Sequence, residues 1–187
     1  MANSDYSIIP LRKLIKNDEG SVQHILDSYN DCVGSDQEQF LRDDAVMMEK
    51  KNMCRTYLAI DTEYELIGYF SIGLRCMKVP KRMTESGKEK DDRFRLKMNV
   101  DPESRVAQSY LIGQLSRSKN SPKGIGSMLL RDALRLISRA NQIVGCRVVR
   151  VDCTDDLLKY YTEHGFRMIR RNDADDLNQM AYIIRKE

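Results

Sequence analysis

The feature that most constrains this chain is the apolar run SYLIGQL (Ser109–Leu115), followed closely by a paired-glycine stretch and a long helix-forming segment. A strand apolar on both faces needs a layer on each side, so it belongs at the centre of a sheet covered by helices. Behind the glycines, Ile125, Leu129, Ala133, Ile137, Ala140 and Val144 recur at helical intervals, with Arg131, Arg135 and Arg139 along another, solvated side. Gly124 and Gly126 therefore sit where a strand hands over to a helix. A helix amino terminus presents unpaired N–H groups and a partial positive charge, which suits anions. A phosphate approaches that backbone closely only where side chains are missing, as at these glycines. Two familiar phosphate motifs do not apply. No lysine–serine or lysine–threonine pair stands where a P-loop needs it. The third glycine of a dinucleotide fingerprint is also missing, and the site falls late in the chain instead of in the first βα unit.

The rest of the chain alternates strand-like and helix-like segments without repeats or a Pro/Gly/Ser linker, which predicts one α/β domain over residues 1–187. A first strand is expected within YSIIPLRKLI. DEGSVQHILDSYN reads as a helix on Val22, Ile25, Leu26 and Tyr29. SDQEQFLRDDAVMMEKK reads as a second helix, capped by Ser35 with Glu38 three residues on, and buried along Phe40, Leu41, Ala45 and Met48. RTYLAI and ELIGYFSIGL, joined by DTEY, read as a hairpin. After the long helix, CRVVRVDC is a strand buried at Val149 and Val151. DDLLKYYTEHGF is a short helix with acids in its first turn and Gly165 beyond its end, and FRMIRR and QMAYIIRK close the domain as a strand pair.

Bulk composition bounds the function. Hydrophobic residues make up 41% and charged ones 32% of 187 residues, the profile of a soluble globular chain able to bury a core. No apolar run reaches the roughly 20 residues a bilayer requires, and MANSDYSIIPLRK lacks the pattern of a secretory signal. Cys32, Cys54, Cys76, Cys146 and Cys153 show no CxxC spacing, and their odd number fits reduced thiols in a cytoplasm. With only His24 and His164, a histidine-rich metal site is excluded and no metal is expected. The net charge of +3 is small, but residues 78–97 hold eight basic side chains against four acidic ones, a local +4. That stretch, part of a charged insertion around 78–105, reads either as a solvated loop or as a landing surface for an anion.

SPKGIG followed by SMLLRDAL resembles the acetyl-CoA loop and helix of the GCN5-related N-acetyltransferase (GNAT) family, whose motif is Q/R-x-x-G-x-G/A. Downstream, LLKYYTEHGF resembles the family's FYEKLGF segment at the expected separation, and the order of elements agrees over nearly the whole chain. The resemblance implies an α/β (α+β) domain with a central mixed, mostly antiparallel sheet, splayed fourth and fifth strands, and flanking helices. It implies acetyl-CoA as co-substrate, no metal, and an acetyl transfer to a primary amine. The backbone of Gln114, Leu115 and Ser116 would pair with pantetheine, and Lys123, Gly124, Ile125, Gly126 and Ser127 would donate N–H groups to the pyrophosphate. Tyr161 matches the tyrosine that protonates the departing thiolate. A phenol of pKa about 10 is protonated at neutral pH and can serve as that acid. Tyr160, beside it, points elsewhere and reads as structural. Ser121 departs from the motif, standing where Gln or Arg is usual, with Lys119 or Lys123 as substitutes.

The family's common glutamate base is replaced by Gln114. A lysine amine of pKa about 10.4 is scarcely neutral at pH 7, whereas an α-amine near 7.7–8.0 is so in part, which favours an α-amine acceptor or a water relay. The stretch DQEQFLRDDAVMMEKKNMCRTYLAIDTEYELIGYFSIG is similar to toxin-type acetyltransferases that act on the α-amine of aminoacyl-tRNA and pair with a DNA-binding antitoxin. The basic 78–97 stretch, Arg167, Arg170 and Arg171 suit such an RNA acceptor. An antitoxin protein and a homodimer thus stand among the partners to consider, with no membrane. Two further readings are a non-catalytic acyl-CoA sensor and a plain nucleic-acid binder, the latter without a recognised RNA-binding signature.

Overall fold

The computed structural model describes residues 5–30, 35–83, 85–86, 92–172 and 174–185. Among the described residues seven strands form a mixed sheet in the order β1-β2-β3-β4-β5-β7-β6. The chain divides into two compact units: Met1–Gly73 with Ile112–Leu136, and Leu74–Leu111 with Ile137–Glu187.

In the first unit β1 (Tyr6–Pro10) pairs antiparallel with β2 (Cys54–Asp61), and β2 with β3 (Leu66–Lys78). The β2–β3 hairpin is the one the sequence predicts. Its DTEY turn is tied by the Asp61 carboxylate, which accepts from the N–H groups of Glu63 and Glu65 at 3.0 and 2.9 Å. The first strand lies within the expected stretch. It ends at Pro10, and Leu11–Asn17 forms α1, because Leu11, Leu14 and Ile15 recur at helical spacing against the core. α2 (Glu19–Asp27) starts at Asp18, whose side chain accepts from Gly20 N. Ser35 accepts from Glu38 N and opens α3 (Asp36–Gln39), as its capping chemistry predicts. The expected single helix then passes through a π segment (Phe40–Asp44) into α4 (Ala45–Lys50). Leu41 and Ala45 are fully buried there, with Phe40 and Met48 half-buried. Leu11, Leu26, Tyr29, Leu58 and Tyr69 complete this core.

β4 (Val106–Arg117) contributes its first half to the second unit, where it runs parallel to β5 (Val148–Cys153), with a register of two pairs, Tyr110↔Val149 and Leu111↔Arg150. On its other edge β5 pairs along its whole length with β7 (Leu177–Ile183), which pairs with β6 (Arg167–Asn172), both antiparallel. Met77, Val79, Met98, Ala107, Val148, Ile169 and Ala181 form this core. The charged insertion carries α5 (Arg93–Leu96), capped by Asp92 and pinned to β6 by Arg95, which donates to the Ile169 carbonyl at 2.9 Å. Lys88, Glu89, Lys90 and Asp91 of the basic stretch lie outside the described residues, as does Cys32.

α6 (Ile125–Val144) buries Ile125, Leu129, Ala133 and Ile137 completely. The expected stripe does not continue to its end. Val144 is 70% exposed, because the helix stops at Gly145, whose φ of +82° turns the chain away. Among the described residues no helix is long and apolar enough to cross a membrane.

Candidate active site

The first unit builds the glycine loop from a strand end that is anchored at several points. Ser116 Oγ accepts from Tyr29 Oη at 2.8 Å. Beyond β4, Ser118 N donates to the Ile67 carbonyl and Lys119 N to the Asn30 carbonyl, both at 2.9 Å. Ser121 folds its hydroxyl back onto the Ser118 carbonyl at 2.7 Å, so it serves its own turn and leaves no side-chain donor where the motif usually has Gln or Arg. Gly124 follows with φ +91° and open space around its missing Cβ. It is required here by backbone conformation and not by crowding.

The five predicted N–H donors separate into two groups. Ile125 N donates to the Pro122 carbonyl and Ser127 N to the Gly124 carbonyl, each at 3.2 Å. Among the described residues the N–H groups of Lys123, Gly124 and Gly126 donate to no backbone acceptor. Three free donors therefore head a 20-residue helix whose dipole adds partial positive charge. Lys123 is exposed beside them. Upstream on β4, Gln114, Leu115 and Ser116 are half-buried, and the Gln114 Oε1 is buried without a hydrogen-bond partner. A buried acceptor left unpaired costs about 1–3 kcal/mol, which a ligand N–H would recover.

Gly68, which sequence reasoning passed over, holds this arrangement together. A Cβ there would lie 2.7 Å from Leu129 Cδ1 and 2.8 Å from the Ser116 carbonyl oxygen. Only glycine lets β3, the end of β4 and α6 approach so closely, and an isolated glycine inside a strand was the available signal.

The second unit places Tyr161 in α7 (Leu158–Glu163), after a 3₁₀ turn at Asp155–Leu157. Its ring is buried between Tyr160 and Phe166 in edge-on contacts at 5.1 and 5.5 Å. Gly165, with φ +87°, ends the helix as expected. Burial holds the Tyr161 phenol well above its ordinary pKa, and the neighbouring Tyr160 and Cys153 push the same way. It therefore stays protonated across the neutral range. Burial and nearby aspartates likewise raise the Cys153 thiol to about 11.

No protein-family model matches the chain, and no curated protein matches it in sequence. Solved structures do match it in fold over most of the chain. AtaT complexed with acetyl-methionyl-tRNAfMet superposes at TM-score 0.71 and 16% identity, over 96% of this chain and 95% of that one. A tyrosine-to-phenylalanine variant of KacT gives TM-score 0.71 at 17% identity, over 95% and 94%. A similar variant of the AtaT toxin, bound to acetyl-CoA and the C-terminus of the antitoxin AtaR, gives 0.61 at 16%, over 84% of each chain.

Proposed function

We propose that residues 1–187 form one acetyl-CoA-dependent N-acetyltransferase domain acting on a primary amine. The observation that carries this reading is the set of unengaged N–H groups at Lys123, Gly124 and Gly126, heading α6 directly after a sheet strand in this fold. They bind the pyrophosphate, aided by Ile125 N and Ser127 N when their first-turn bonds loosen. The backbone of Gln114, Leu115 and Ser116 pairs with pantetheine. The amine nitrogen attacks the thioester carbonyl, the carbon–sulfur bond breaks, and the Tyr161 hydroxyl gives its proton to the thiolate. The amine loses its own proton to water. Gln114 Oε1 can accept a hydrogen bond from an N–H but cannot remove the proton.

The α-amine of an aminoacyl-tRNA is the more specific acceptor. It is favoured by the likeness to AtaT, whose structure holds acetyl-methionyl-tRNAfMet, and by an uncharged amide at residue 114 in place of a base. The antitoxin bound to AtaT makes a small antitoxin protein the partner to seek, in a cytoplasmic setting.

Labelled acetyl-CoA, incubated with amines, peptides and charged tRNAs, tests both readings. Tyr161→Phe should slow transfer by about 10²–10⁴ while leaving acetyl-CoA affinity unchanged. Native protein that binds no acetyl-CoA and labels no acceptor would refute the first reading. Label on small amines but never on charged tRNA would refute the second.

A further inference from the structure

The second unit contains a cavity of about 470 Å³ that the reactions above do not use. Its size lies within the roughly 300–1,000 Å³ of small-ligand sites. Lys97, Arg147, Arg167 and Arg185 line it, and among the described residues no carboxylate does. Elsewhere in the same unit several arginines are paired, among them Arg150 with Asp152 at 2.6 Å, and Arg171 with Asp155 and Asp176 at 2.9 and 2.6 Å. Among the described residues none of the four lining cations has an ion-pair partner. Four like charges around one concavity repel one another until an anion enters.

The walls also carry aromatic rings. The Arg167 guanidinium stands over the Phe94 ring, 5.0 Å from its centroid. Tyr182 contacts Phe166 on one side, with centroids 5.4 Å apart. On another it meets Gly165, where a Cβ would come to 3.5 Å of the Tyr182 ring. The missing side chain at residue 165 leaves that part of the ring uncovered. These walls are preformed, because Arg95 fixes α5 to β6, Tyr182 pairs with Val149 in the sheet, and Ile184 N donates to the Arg147 carbonyl at 2.9 Å.

We propose that this cavity binds a nucleotide unit, its phosphate held by Arg147, Arg167, Arg185 and Lys97 and its base laid on the Tyr182 ring. Cationic grooves with an aromatic platform bind single-stranded nucleic acid in this way. The unit belongs either to an RNA strand or to a free nucleotide. The proposal rests on the aminoacyl-tRNA reading only for the first of these sources.

The test measures anisotropy of a labelled single-stranded RNA oligonucleotide with the full chain, between about 50 and 300 mM salt. AMP serves as competitor and, separately, as titrant. The pair Arg147→Gln with Arg185→Gln should weaken binding about tenfold or more and shallow the salt slope by about 1. Arg131→Gln with Arg139→Gln, on the exposed face of α6, should stay within about twofold. Lys97→Gln with Arg167→Gln is the second pair, should the first melt early. RNA binding without AMP competition assigns the cavity to a strand, and AMP binding lost in the cavity variants assigns it to a free nucleotide. RNA and AMP binding unchanged in both cavity pairs would overturn the proposal. Acetyl-CoA affinity, measured on the same variants, should not move, so failure here and failure of the acetyltransferase reading are separable.

Discussion

Replacing Gly68 by alanine adds one methyl group at the point where three elements converge. The new carbon would lie 2.7 Å from Leu129 Cδ1 and 2.8 Å from the Ser116 carbonyl oxygen, against an optimum of about 3.5–4.0 Å for carbon contacts. Neither neighbour can yield cheaply. Leu129 is 0% exposed, so its side chain can make room only by repacking against other buried groups. The Ser116 oxygen is main chain, and Ser116 is itself tied to Tyr29 at 2.8 Å. Overpacking of this kind costs about 1–3 kcal/mol, and two overlaps with fixed partners place it at the upper end. Alanine's smaller unfolded-state entropy offsets only about 0.4–1 kcal/mol. The net effect is a destabilisation of about 2 kcal/mol, or a Tm lowered by roughly 4–8 °C for a chain of this size. Urea denaturation should show a lower midpoint at constant slope. Calorimetry should show weaker acetyl-CoA binding, since Gln114–Ser116 must shift. A Gly68→Ala protein as stable as the native one, to within about 0.5 kcal/mol, would refute the idea that this close approach seats α6.

Gly124→Ala offers the complementary case. Nothing lies within 4 Å of the added Cβ, but φ is +91°, so the cost is backbone strain of about 1–2 kcal/mol. Acetyl-CoA affinity should fall about tenfold with little loss of fold, and unchanged affinity by calorimetry would count against this loop as the pyrophosphate cradle. Alkaline pH should destabilise the chain. The Tyr6 and Tyr161 phenols are both held above their ordinary pKa, chiefly by burial, with the Asp132 hydrogen bond adding to the effect at Tyr6. Their contribution is complete below about pH 10 and lost as pH rises through the raised values. Denaturation midpoints at pH 9 and 11 check this, and the decline should be smaller in Tyr161→Phe. Thiol labelling should separate the cysteines. Cys76 is exposed and should react fast, while Cys153, buried and raised to about 11, should react only on unfolding. Equal rates by mass spectrometry would contradict the burial argument.

The segments easiest to read were those whose side chains answer to one periodicity. SYLIGQL, apolar on both faces, is β4, and the four-residue repeat from Ile125 to Ile137 is the buried face of α6. The reading was coarser where apolar residues ran across a change of element. In YSIIPLRKLI the apolar run continues through Pro10, yet the pattern passes there from alternation to helical spacing, and the chain turns into α1. At Val144 the spacing was right, but the helix had reached its end. The π segment at Phe40–Asp44 leaves no sequence signature, since its residues fit an α-helix equally well. At residue 124 the glycine stands in a left-handed conformation that only the fold reveals, and the division of the loop's N–H groups into free and engaged depends on the turn at Pro122. The cationic cavity was invisible because its lining comes from positions spread between Phe94 and Arg185 that only the fold assembles.

The protonation states of the groups at the proposed site bear on which acceptor it takes. In the proposed mechanism Tyr161, its phenol held above the ordinary range, stays protonated throughout the physiological range, so its own titration does not set the pH dependence there. Gln114 has no basic function to offer, so the fraction of acceptor already neutral governs the attack. At pH 7.5 an α-amine of pKa about 7.7–8.0 is roughly 30% neutral, whereas a lysine amine of about 10.4 is roughly 0.1% neutral. In the proposed reaction that ratio, about 250-fold or about 3.3 kcal/mol, is a discrimination obtained without contacting the side chain, larger than the roughly 0.5–1.5 kcal/mol a typical hydrogen bond gives. A site built in this way separates α-amines from lysines by chemistry and leaves its binding surfaces free to choose among α-amines. This is the task an RNA-carried acceptor would set for the second unit's arginines.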